Sequence, residues 1–254
     1  TCGDTEILPG HRRVHTWWKT KWSTASTFQV ASSSVRRTRP GTARSVKANT
    51  SAPFGFRQVS GTGSAPTYEQ VTGLVAYNTA NIFSGDPVAH LSDGTLAGIT
   101  TSALPGTVPV AGVFYGCKYL SVSQKRTVWS RYWPGSDTTN DVICYVVDDP
   151  NARFVVQGNS TTFNIGGSLS TYTSSPVGQY AQFAIGSGNT STGASGAYLN
   201  SLGTTTTYPF IVVDLITFPP GAQGADPTSA YNQVVVGFNN QIMRTNGAGP
   251  TGIS

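Results

Sequence analysis

The residues of this 254-residue chain that could act as metal ligands, nucleophiles or proton carriers are three histidines, three cysteines and eleven carboxylates. His11 and His15 are spaced i, i+4, which on a helix would put two imidazoles on one face, but no glutamate accompanies them and metal binding is not assigned. His90 is the one histidine beyond residue 47, and no Gly-x-Ser-x-Gly elbow stands ready to pair a nucleophile with it. Cys2, Cys117 and Cys144 lack metal or redox spacing and allow no disulfide framework to be inferred. Cys117 and Cys144 lie in apolar strand-like runs, where a thiol serves as a small hydrophobe.

Glycosidase chemistry needs two carboxylates across a substrate. The adjacent Asp148 and Asp149 are explained by a turn, and Glu69, Asp137 and Asp141 stand apart in polar loops. The glycine-rich Gly186–Gly188 and Gly193–Gly196 carry no phosphate-loop lysine. The sequence therefore assigns no catalytic, cofactor-binding or metal residue and does not read as an enzyme.

The elements that would hold such residues are short and β-rich. Tyr68–Val71, Gly73–Tyr77, Asn81–Val88 and Leu96–Ile99 are apolar runs punctuated by Gly, Pro and Asn, with Ser92–Thr95 as a hairpin turn. Val142–Val147 and Phe154–Gln157 read as strands of one β-hairpin, with Asp148–Asn151 as its tight turn. Tyr208–Ile216 has the continuous apolar run of a strand covered on both faces, and Tyr231–Phe238 is a further strand. Gly186–Gly196 reads as an exposed loop. No helical periodicity persists over three turns, and no run of about 18 apolar residues is present. The fold expected is all-β, a mainly antiparallel sandwich or barrel with long loops and little helix, over residues 48–254 with a sub-boundary near residue 160.

Charge divides the chain. Nine of its sixteen basic residues and two of its eleven acidic ones lie within residues 1–47, leaving seven basic and nine acidic residues over 48–254. Arg36, Arg37 and Arg39 form the densest cluster, downstream of Trp17, Trp18 and Trp22. Such an arm has the means to neutralise phosphates and stack on bases, yet nucleic acid is not the expected partner. Two readings of it stay open: an arm that orders against a neighbouring subunit, or a non-native upstream extension, with Val46 placed like an initiator before Lys47, Ala48 and Asn49. Charged residues make up only 11% of the chain, well below the roughly 25% of ordinary soluble domains, so Ser, Thr, Asn, Gln and Gly cover the surface.

The stretch GVFYGCKYLSVSQKRTVWSRYWPG (112–135), followed by VICYVVDDPNARFVVQG (142–158), resembles structural proteins of tailed bacteriophages, capsid decoration or cement proteins above all. Phe83–Val88 followed by DGTLAGI (93–99) is similar to the amino-terminal half of the same group. The resemblance implies a virion component on the outer surface of the capsid that binds the major capsid protein, associates with copies of itself as trimer or dimer, and involves no membrane. A receptor- or glycan-binding virion component, such as a head fibre or tail protein, is the alternative. Trp129, Tyr132 and Trp133 favour it as a sugar platform, although aromatics so dense are more often core.

Overall fold

A computed structural model describes residues 48–61, 70–77, 79–99, 109–140, 142–168, 171–219 and 222–243. The basic arm, with His11, His15, Cys2 and its tryptophans, lies outside the described residues, as do Glu69 and Asp141.

The strands follow one another as β1 (Arg57–Ser60), β2 (Val71–Val75), β3 (Ile82–Phe83), β4 (Pro87–His90), β5 (Leu96–Gly98), β6 (Gly112–Ser121), β7 (Arg126–Ser130) and β8 (Tyr132–Trp133). After them come β9 (Val142–Val147), β10 (Arg153–Gln157), β11 (Gly166–Ser168), β12 (Thr171–Ser174), β13 (Tyr180–Ala184), β14 (Tyr198–Gly203), β15 (Phe210–Leu215) and β16 (Gln233–Phe238). Among the described residues the only helical element is a single 3-10 turn, Thr161–Phe163. The protein is all-β.

Of the two expected architectures, the barrel is present, accompanied by an open sheet. Strands β4, β5, β2, β9 and β6 pair in that order, and β6 pairs back to β4, closing a five-stranded barrel. Its pairs are antiparallel except β2 with β5, which meet in parallel at Val75 and Leu96. The other large sheet is open and antiparallel, in the order β1-β10-β16-β15-β13-β14, and β11 with β12 and β3 with β8 form two small ribbons. Period-two alternation splits the side chains of β6 between two cores. Phe114, Cys117 and Tyr119 point into the barrel with Val75, Leu96, Trp133, Val142 and Cys144. Val113 points out and, with Val147 and Ala89, packs against Phe154, Val156, Phe210, Val236 and Phe238 of the open sheet.

Phe56 anchors this second core. It stacks on Phe210 with ring centroids 4.5 Å apart and meets Phe154 and Phe183 edge-on at 6.3 and 6.0 Å. Burying four such rings together supplies a large apolar area and favourable ring geometry.

Two expectations change. Val142–Val147 and Phe154–Gln157 are strands joined by a turn in which Asp149 O accepts from Ala152 N at 2.9 Å, but they do not pair as a hairpin. β9 pairs with β2 and β6, whereas β10 pairs with β1 and β16, so the turn carries the chain from the barrel to the open sheet. The run at Phe210–Leu215 is fully covered on one face only: Phe210 and Val212 are buried, while Ile211 and Val213 between them are half-buried. The Ser92–Thr95 turn does join a hairpin, β4 to β5, with Thr95 N and Oγ1 both donating to Asp93 Oδ1.

Candidate functional site: an aromatic and cationic groove

The β6–β7 hairpin builds the site. Its turn end is tied by Asp137, whose carboxylate accepts from Ser121 Oγ at 2.5 Å and Ser123 N at 3.1 Å. The Ser121 bond, followed by that of Ser123, draws the Asp137 carboxyl below the ordinary aspartate value. Register then places Trp129 opposite Lys118, and Lys118 opposite Ile143 on the far side of β6.

A bulge decides what faces outward. Between Phe114 and Gly116 the register against β9 slips by one residue, leaving Tyr115 as the extra one. That slip lets Phe114 and Cys117 both point into the barrel while Tyr115 turns toward its rim, the usual effect of a bulge. Gly116 is required at this place, because a Cβ there would lie 2.9 Å from the carbonyl oxygen of Ser130.

Beyond the hairpin the chain bends at Ser130, whose hydroxyl donates to Tyr132 O at 2.6 Å and accepts from Tyr132 N at 3.2 Å. The bend separates two tryptophans four residues apart. Trp133 enters the barrel, fully buried, donating from Nε1 to Thr79 Oγ1 at 3.0 Å and meeting Tyr119 edge-on. Trp129 stays outside with 65% of its surface exposed, lying on Tyr145 with centroids 5.5 Å apart and planes 13° from parallel. Lys118 Nζ stands 5.0 Å from the Trp129 ring centroid, a cation–π contact. Tyr132 stacks on Phe83.

Trp129, Tyr145, Tyr115, Gln70, Ser130 and Arg131 surround a hollow of about 330 Å³. A second hollow of about 430 Å³ adjoins it and shares Tyr115 and Arg131, adding Phe54, Arg57, Ser84 and Ala194. Arg57 lies over the Phe54 ring at 4.5 Å. Arg131 is backed by the return of the 186–196 loop: Gly193, at φ +70°, comes so close that a Cβ on it would be 2.7 Å from Arg131 Cβ. That loop is exposed at Ser187 and over 189–192. From Gly193 to Ala197 it is buried or half-buried, with Ser195 Oγ donating to Asp86 Oδ1 at 2.5 Å and Ala197 N donating to Ser195 Oγ at 2.8 Å. Asp86 Oδ2 accepts from Phe83 N at 2.7 Å, and burial outweighs both bonds, pushing the carboxyl up to about 6.

The remaining candidates are dispersed. His90 is exposed at the end of β4, with Nδ1 3.2 Å from Gly94 O. Cys117 and Cys144 face each other across β6 and β9 inside the barrel, both as free thiols. Asp148 and Asp149 occupy the turn between barrel and sheet. No three metal-ligating side chains gather among the described residues. The sequence singles out Trp129 and passes over Tyr115, Tyr145, Arg57 and Arg131. The one available signal is Gly116 inside a strand pattern, a mark of a bulge.

No protein-family model, curated protein or solved structure matches this chain.

Proposed function

We propose that this protein is a phage capsid decoration protein, binding the outer surface of the shell, stabilising contacts between major capsid protein subunits and working as a trimer or dimer. The observation that carries the reading is the outer face of the barrel. Leu74, Ile143, Lys118 and Trp129 lie side by side across four strands, with Leu120 two residues further along β6. The four apolar side chains of this group are 40–65% exposed, and the rest of the described chain leaves them uncovered. A contiguous apolar patch on a surface so poor in charge suits a broad protein interface, where Lys and Glu are depleted. Repeated over a symmetric lattice, modest contacts of this kind add up through avidity.

Cryo-EM of the purified particle tests the reading. Density for this chain repeating at symmetry axes over the outer shell, with the barrel face against capsid subunits, is the expected result. Density confined to one vertex or to the tail, or none, overturns it.

The groove favours a second reading, a glycan-binding virion component. An exposed tryptophan beside a concavity with polar groups at its rim is the arrangement small-ligand sites use, and each hollow falls within their range of about 300–1,000 Å³.

A further inference from the structure

We infer that the groove selects acidic saccharides, sugar rings carrying carboxylates, over neutral ones; the inference rests on the glycan-binding reading and adds the ligand class.

The argument begins from charge. Residues 48–254 carry more acidic than basic groups, nine against seven. Arg57 and Arg131 nonetheless line the double hollow and Lys118 stands over the Trp129 ring, while no described residue lining either hollow is acidic. Neither arginine has an ion pair with another described residue. Two guanidinium groups in a concavity, without a carboxylate partner among the described residues, suit planar anions, which they hold by paired N–H···O bonds. In a chain with so few charges, such a concentration complements an anionic ligand and would repel a cationic one.

Shape supplies the second half. Trp129 lies flat on Tyr145 at 5.5 Å, which fixes its plane, and its 65% exposure leaves apolar area for a sugar ring. Arg131 is common to both hollows, so a ring resting against Trp129 has a guanidinium within the same concavity to meet its carboxylate, and Arg57 serves the adjoining hollow. An acidic peptide would satisfy the arginines, but it would not need the flat tryptophan.

Calorimetric titration of the full chain with tri-galacturonate, with maltotriose as a neutral trisaccharide and with poly-glutamate as an acidic peptide decides the matter. Tri-galacturonate is expected to bind at least ten-fold tighter than maltotriose. Arg131→Gln is expected to abolish that preference, and Trp129→Ala to weaken both sugars ten-fold or more, with Trp129→Phe restoring most of the loss. Arg153→Gln, on β10 of the other sheet, should leave all values unchanged. Equal affinity for the two sugars, unaffected by Arg131→Gln, overturns acid selection while leaving glycan binding intact. Absence of binding to either sugar overturns both. Poly-glutamate binding as tight as tri-galacturonate and indifferent to Trp129→Ala overturns the inference in favour of a peptide surface. Melting temperatures within about 4 °C of wild type confirm that the variants report on binding, since both side chains are exposed.

Discussion

Ser195 and Asp86, 109 positions apart, share a 2.5 Å hydrogen bond that fastens the 186–196 loop to the Ser84–Asp86 corner between β3 and β4. The same corner receives Phe56 N on Gly85 O and Ser195 N on Ser84 O, while Gly85 N reaches Phe114 O. Four segments of the chain thus meet at one carboxylate and its neighbouring peptides.

Stability is expected to depend on pH through Asp86. Its folded-state value near 6 lies above the unfolded value of 3.8, so the folded protein binds this proton more tightly than the unfolded chain. The stabilisation is complete below about pH 4, declines as pH rises to about 6 and is flat above, a difference on the order of 3 kcal/mol. Asp93 and Asp137, both lowered by hydrogen bonds, act in the opposite sense and are lost as pH falls. Urea unfolding of Asp86→Asn against wild type isolates the Asp86 part; parallel pH profiles would refute its assignment.

Cys117 and Cys144 should resist alkylation. Burial, with the opposing thiol adding to it, pushes Cys117 up to about 12, and burial pushes Cys144 up to about 11. Thiolate, the reactive form, is then scarce at pH 8. Peptide mapping after iodoacetamide treatment should find both unmodified in native protein and both modified in guanidinium.

The two tryptophans should separate stability from surface chemistry. Trp133→Ala empties a fully buried site and is expected to lose about 3–5 kcal/mol. Trp129→Ala removes a mostly exposed ring and one stacking contact, a loss of about 1 kcal/mol or less. Chemical denaturation of both variants checks the contrast.

Asn49 should be an anchor for the first described segment. Its Nδ2 donates to Asn232 Oδ1 at 2.7 Å and to Asp226 O at 2.9 Å, and its Oδ1 accepts from Gly224 N at 2.8 Å. Asn49→Ala leaves buried partners unsatisfied, with an expected cost of about 1–3 kcal/mol. Hydrogen exchange should show Gly224 deprotected in the variant.

Strand identity was legible wherever β-branched runs end in strong turn residues, as at Val142–Val147 and Phe154–Gln157. Partnership was not, because an Asp-Asp-Pro-Asn turn reads the same whether the chain doubles back or steps to another sheet. Phe56 follows Phe54 by two residues in a short run of Pro and Gly, too brief a pattern to reveal its place in the core. The composition of Gly186–Gly196 points to solvent, yet its second half is held by Asp86, a contact too distant in sequence to read locally. Trp129 and Trp133 are the same residue type four positions apart, and only the bend after Ser130 sends one outward to the groove and the other into the barrel.

β1 and β10 are neighbours in the open sheet, and Ser60 lies opposite Arg153 in their ladder, so the chain leaves the sheet and returns to it at nearly one point with the whole barrel in between. Pairing those two strands in an unfolded chain closes a long loop at an entropic cost that grows with its length. A barrel already formed brings both ends together beforehand and removes most of that cost. The inserted barrel is thus placed to set the order of assembly, forming first and acting as the clasp that draws the outer sheet into register.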